Sequence, residues 1–217
     1  MMVFFVLIGL FSVVFVVLSL LRPLLGAGLI VATLPVYQIR FEIGQIPFTL
    51  LELMILLFVI VVCVREWNAL RALLKKPPFV PALLVLGFLL IATASLWWTP
   101  QLTAGLGIWK AYCVEPVLFS LALYLILKKK SDVAFLLSCA WGLALVVSLV
   151  ALYQFATGIG IPEPWNVWPD RRAVGVFEYP NAVGLLLAPI IMTAIAWLIH
   201  SKDWLSSWEI TPVQQKI

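Results

Sequence analysis

Six nearly uncharged stretches, each close to the length of a membrane-spanning helix, constrain this chain more than any motif does. They are residues 1–21, 46–64, 79–97, 109–127, 133–155 and 182–199, and each is bounded by Pro, Gly or charge, the punctuation expected at helix ends. Crossing a bilayer takes about 20 consecutive, mostly apolar residues. With 64% hydrophobic and only 11% charged residues over 217 positions, and a mean hydropathy of +1.13, the chain carries far more apolar surface than a soluble core can hide. The first run has neither the basic start nor the small-residue cleavage site of a removable signal peptide. A seventh piece, residues 24–36, would make a helix of roughly 20 Å. It is either a short crossing paired with the first run about Arg22-Pro23, or a re-entrant continuation of it. The expectation is therefore an all-α fold, a polytopic transmembrane helix bundle of six or seven helices, in a single transmembrane domain spanning residues 1–217.

The fourteen Lys and Arg residues suggest the orientation. Arg65, Arg71, Lys75 and Lys76, then Lys128, Lys129 and Lys130, then Lys202 and Lys216 fall on one side of such a bundle. Only Arg40, Lys110, Arg171 and Arg172 fall on the other, and Arg22 depends on the first hairpin. The positive-inside rule puts the larger set, and a tail over residues 200–217, in the cytoplasm. Trp97, Trp98, Trp109, Trp165 and Trp168 then cluster at the outer interface, where amphipathic rings are favoured. The net charge of +4 is a topology signal; there is no basic stripe of the kind a nucleic-acid partner requires.

The polar residues inside the runs are few. Cys63, Cys113 and Cys139 match no metal or redox spacing and read as small packing residues. His200, the single histidine, reads as an interfacial residue. Glu52 and Glu115 are costly in hydrocarbon and need partners. An internal ion pair or anchor, with Lys110 as the cation for either, outweighs a proton or ion pathway, because two scattered carboxylates make no relay.

The connection over residues 157–179, TGIGIPEPWNVWPDRRAVGVFEY, is the longest non-apolar segment outside the runs. Its Pro162, Pro164, Pro169, Gly158 and Gly160 favour an irregular, stiffened loop over a helix, and loops of this kind carry function. The Arg171-Arg172 pair stands where positive charge is normally scarce. Guanidinium groups suit bidentate capture of phosphate or carboxylate. Ion pairs with Asp170 or Glu178, or loose contact with lipid headgroups, explain the pair equally well.

The run Arg172-Ala173-Val174-Gly175-Val176-Phe177-Glu178-Tyr179-Pro180-Asn181 resembles the R-x-x-G-x-F-x-x-P-N signature at the outer end of a helix in the O-antigen ligase and polymerase superfamily. The segments LPVYQIRF from Leu34 and IPFTLLE from Ile46 look like the first outer loop and second helix of many bacterial members. The chain departs from the pattern in having Glu178-Tyr179 where Gly-Asn or Gly-His is common, and Gly184 where Ala is usual.

The resemblance implies a glycosyltransferase of the bacterial inner membrane. It would take a glycan from an undecaprenyl-diphosphate carrier at the outer face and pass it to a glycan or lipid acceptor. No metal or other cofactor is implied, since arginines can neutralise a leaving diphosphate. By matching position, Arg172 would bind the diphosphate, with Asn181 and Pro180 shaping the helix entrance beside it; Arg171 is an auxiliary candidate on chemistry alone. Family members carry a further outer loop downstream with an arginine and an acceptor-activating histidine. The 217 residues thus read as the N-terminal part of a longer fold, inactive by itself, and no catalytic residue is assigned within them. The competing reading is a non-enzymatic membrane component, a transporter fragment or an assembly partner. A transporter predicts internal repeats or broken helices at midplane, and no such repeat stands out.

Overall fold

The computed structural model describes residues 2–43 and 46–200; the tail beyond His200, with Lys202 and Lys216, lies outside the described residues. Helices α1 (Met2–Leu21) and α2 (Pro23–Ala32) form a hairpin about Arg22. Pro23 is the first residue of α2, where a missing N–H costs nothing. Gly26 permits the close approach, because a Cβ there would lie 2.4 Å from Ser19 Oγ. At 10 residues, α2 is about 15 Å long, half the hydrocarbon thickness. Residues 24–36 thus begin as a short helix that forms the second arm of a tight hairpin with α1. The chain continues through a 3₁₀ turn over Leu34–Gln38.

Two short strands come next, β1 (Arg40–Ile43) and β2 (Ile46–Thr49), antiparallel with Arg40 opposite Thr49 and Phe41 opposite Phe48. The helix expected over 46–64 therefore begins four residues later, as α3 (Leu50–Arg65). The Thr49 hydroxyl accepts from the Glu52 amide at 3.2 Å, and the Glu52 carboxylate accepts from the Thr49 amide at 2.9 Å. This reciprocal capping box fixes the start of the helix and leaves Ile46 to Phe48 free to pair as a strand.

Helix α4 (Trp67–Lys75) is short and ends ahead of Pro77-Pro78. It leads into α5 (Phe79–Ser95), which a 3₁₀ turn extends to Trp98. Helix α6 (Leu102–Trp109), a π turn (Lys110–Val114) and α7 (Glu115–Ile126) then run on as one rod. The helix expected to begin at Trp109 thus starts at Leu102. Pro116 explains the π turn: it has no N–H to donate, and its ring collides with the carbonyl four residues earlier. The ladder widens locally, and the Glu115 N–H reaches the Lys110 carbonyl five residues back. The last two helices among the described residues are α8 (Lys130–Thr157) and α9 (Pro180–His200).

Five helical stretches, Val3–Leu21, Phe79–Trp98, Leu102–Ile126, Lys130–Thr157 and Pro180–Ile199, are long and apolar enough to cross a membrane. At 16 residues, α3 is about 24 Å long, shorter than the usual crossing. The main core gathers Phe15, Ala27, Ile30, Met54, Phe58, Val62, Ala122 and Leu125 from α1, α2, α3 and α7. By contrast α5 has no buried residue, and its Phe79, Leu84 and Ile91 are among the most exposed apolar side chains. Apolar surface on this scale belongs against lipid, and the chain is a predominantly helical membrane protein.

Two ends of the bundle can be distinguished. At one, the Arg65 guanidinium donates to the Leu20 carbonyl, and Leu70 of α4 joins Leu125 and Leu136 in the core. This gathers Arg22, Arg65, Arg71, Lys75, Lys76 and Lys128 to Lys130 into a basic end. Toward the opposite end, Lys110 Nζ lies 3.1 Å from Glu52 Oε2, 3.4 Å from the Pro47 carbonyl and 4.3 Å from the centre of the Phe48 ring. The anchor expected for Lys110 is thus formed with Glu52. Glu115 is only 3% exposed, and its Oε1 has no hydrogen-bond partner among the described residues. Glu52→Gln and Lys110→Met should each lower the melting temperature in detergent by a few degrees. Thermal unfolding of the double variant should show a smaller loss than the sum, with coupling on the order of 1 kcal/mol; strict additivity would mean the pair contributes nothing.

Candidate functional site

Helix α8 has 28 residues and is about 42 Å long, about 12 Å more than the hydrocarbon core requires. The chain leaves it through Gly158, whose φ of 75° closes the helix with an N–H bond to the Gln154 carbonyl at 2.7 Å. That left-handed conformation favours glycine. The loop folds back along the C-terminal end of α8, and Gln154 holds it there.

Gln154 is the one amide in the last turns of α8, and it is 5% exposed. Its Oε1 accepts from the amides of Val174 at 3.1 Å and Gly175 at 2.7 Å, while Nε2 donates to the carbonyls of Gly175 at 2.7 Å and Gly160 at 3.1 Å. A carboxamide has two acceptor and two donor places, and all four are used. Gly175 has φ of 60°, and a Cβ there would stand 3.2 Å from Val147 Cγ1 and 3.3 Å from Val183 Cγ2. The glycine of the signature is thus needed for both its conformation and its closeness to α8. Val147 lies ten residues before Thr157, about 15 Å back along the helix. The loop therefore returns to that depth before α9 begins.

The next residues dock on the segment that follows α2. Gln38 Nε2 donates to the Val176 carbonyl at 2.8 Å, and the ring of buried Phe177 stacks on Tyr37 with centroids 6.4 Å apart. Burial, then the neighbouring Tyr179 and Glu178, push the Tyr37 phenol above its ordinary pKa.

The two arginines have different surroundings. Arg171 turns back to the end of α8. Its Nη1 donates to the Phe155 carbonyl at 3.3 Å, and its guanidinium fills the space beside Gly158, where a Cβ would lie 2.7 Å from Nη2. A cation on the last carbonyls of a helix is favourably placed against the helix dipole. Trp168 covers the group with its ring centre 5.7 Å away. Arg171 is a strut that shapes the loop.

Arg172 is exposed. Its backbone N–H donates to the Trp165 carbonyl at 2.9 Å, its guanidinium carbon lies 5.5 Å from the centre of the Trp165 ring, and Nη2 donates to Asn181 Oδ1 at 3.3 Å. Asn181 is the second residue of α9. The fold thus brings Arg172 and Asn181 together, an arrangement that the resemblance implies. Among the described residues neither Asp170 nor Glu178 forms an ion pair with either arginine. Arg172 is a charged fork oriented by an aromatic face and an amide, with donors left over for an anion. The pins Gln154 and Gln38 are absent from the sequence-level candidates; the available signal was a single amide within the apolar run VVSLVALYQF. Comparison with family profiles, with curated proteins and with solved structures finds no match.

Proposed function

We propose that the chain is a membrane glycan transferase of the O-antigen ligase or polymerase type, in which Arg172 binds the diphosphate of a polyprenyl-linked glycan. The carrier would be undecaprenyl diphosphate at the outer face of the bacterial inner membrane, and the acceptor a glycan or a lipid. The reading takes the bundle as six or seven membrane-inserted helices, with the basic end cytoplasmic and residues 157–179 outside.

The observation that carries this reading is the state of Arg172: a guanidinium held by Trp165 and Asn181, with no carboxylate among the described residues in ion-pair range. Such a group is preorganised to stabilise charge that develops on a departing diphosphate. The start of α9 beside it adds partial positive charge of the same sign. Arg172 supplies binding and charge stabilisation, while the proton transfer from the acceptor falls to another group. His200 does not serve, since it stands nineteen residues beyond Asn181, about 28 Å along α9.

The direct test is binding. The purified protein should bind a polyprenyl diphosphate in preference to the monophosphate and the alcohol, and Arg172→Ala should abolish that preference. Equal binding of all three lipids by the parent would sink the reading. Orientation is tested separately by single cysteines at Ser131 and Glu163, introduced after replacing Cys63, Cys113 and Cys139 with alanine. On intact cells an impermeant thiol reagent should label position 163 and spare position 131. The reverse pattern would invert the topology and place Arg172 on the wrong face for an outer donor.

A further inference from the structure

Helix α4 lies at the basic end, and the proposed transfer chemistry makes no use of it. Its nine residues, WNALRALLK, fall around the axis in steps of about 100°. Ala69 and Leu70 are buried, and Leu73 packs on the main core beside them. These three mark the side of α4 that faces the bundle. The next sector in the same rotational direction holds Leu74 and Trp67, which are also apolar but 68% and 53% exposed. Beyond them come Arg71 and Lys75, and then Asn68 and Ala72, all exposed. The apolar surface of α4 therefore extends past the protein core and is edged by two cations.

Charge at this end is one-sided. Glu66 is engaged by Arg65 at 3.7 Å, and Asp132 Oδ2 accepts from the backbone amides of Lys128 and Lys129 at 3.0 and 2.9 Å. Arg71 lies over the Trp67 ring at 5.7 Å. Arg71, Lys75 and Lys76 form no ion pair among the described residues. Lipid-facing α5 follows after Pro77-Pro78, so α4 is held at the level where a crossing helix begins. An apolar edge with tryptophan, bordered by Lys and Arg and fixed at that level, is the pattern of a helix lying in the membrane interface. The complementary charge available at that depth is the phosphate of an anionic lipid.

We propose that α4 is an interfacial helix that binds anionic phospholipid headgroups in the leaflet at the basic end. Trp67 and Leu74 sink into the acyl boundary, and Arg71, Lys75 and Lys76 engage the phosphates. The inference needs the membrane but not the glycan chemistry. It also gives α4 a mechanical role, because α3 and α5 enter and leave the membrane through it.

The full chain is tested in nanodiscs of phosphatidylcholine titrated with phosphatidylglycerol. Parent protein should gain thermal stability as the anionic lipid rises, because a ligand of the folded state stabilises it by mass action. The triple variant Arg71→Gln/Lys75→Gln/Lys76→Gln should bind phosphatidylglycerol about a hundredfold more weakly. Lys128→Gln/Lys129→Gln should keep most of the response, which separates α4 from general basicity. An equal response in parent and triple variant overturns the proposal, as does a parent indifferent to phosphatidylglycerol. Should the triple variant fail to fold, depth is measured in the variant lacking the three native cysteines. A fluorophore on Leu74→Cys should be quenched by lipids brominated in the acyl chain, and one on Ala72→Cys should not. Equal quenching at the two positions also overturns it.

Discussion

On the proposed function, and with the downstream part of the fold supplied, Arg172→Ala is expected to reduce glycan display to background in cells that depend on this protein for it, at unchanged membrane levels of the protein. Removing one preorganised donor of a developing anion typically costs a factor of about 100 to 1,000 in rate. Here the whole fork that Trp165 and Asn181 orient would be lost. Arg172→Lys retains the charge but cannot hold two phosphate oxygens in one plane, and should lose activity by about tenfold or more. Arg171→Ala separates the two neighbours. Its guanidinium lies against Gly158 and the Phe155 carbonyl, so its loss should lower the melting temperature while the protein that remains folded still binds the diphosphate. The measurements are glycan display on a gel, protein level by immunoblot and melting temperature for each variant. Normal display by a normally abundant Arg172→Ala protein would reduce this arginine to a surface contact.

Gln154→Leu is expected to detach the loop without unfolding the bundle. The substitution nearly preserves volume yet strands the amides of Val174 and Gly175 and removes the partner of the Gly160 carbonyl. Each buried group left unpaired costs about 1–3 kcal/mol, more than a loop of this size can absorb in its docked position. Limited proteolysis should then cut within residues 159–173 at least tenfold faster, while the helical content by circular dichroism stays near that of the parent. Gln154→Glu is the sharper control. It keeps the acceptor for both amides but offers a carboxylate oxygen to the Gly175 carbonyl, so it should be cut at a rate between the two. If Gln154→Leu resists protease like the parent, the loop is held by its apolar contacts, Phe177 and Val174, and not by the amide.

The helices were legible from hydropathy because a run of about 20 apolar residues admits few alternatives. Their ends were less so. The start of α6 was missed because Gln101, Thr103, Gly105 and Gly107 dilute the apolar signal ahead of Trp109. In the fold Gly105 lies against Thr99, where small size rather than hydropathy is what the position needs. The β1–β2 pair was hidden for a different reason. Ile46, Pro47 and Phe48 are as apolar as the helix they precede, and only the Thr49-to-Glu52 spacing announces that α3 starts after them. At the candidate site, the proximity of Arg172 to Asn181 was implied by the resemblance of the signature run, whereas the separation of Arg171 from Arg172 was not. Adjacent residues in an irregular loop share no periodic rule, and which of them turns inward is decided by the space beside Gly158.

The π turn between α6 and α7 amounts to one residue of added helical phase. Lys110 opens it and faces Glu52, whereas Glu115 follows it and is buried in the protein. In an uninterrupted α-helix, residues five apart differ by about 140° around the axis. The wider turn brings them closer to the same side, since its own ladder joins each residue to the one five before it. The two halves of this rod are therefore rotationally set by one surplus residue at Pro116's threshold. A chain shortened by a single position there would swing every side chain of α7 by about 100°, turning Phe119 away from Phe58, its ring neighbour at 5.8 Å, and moving Glu115 off the protein-facing side of the helix.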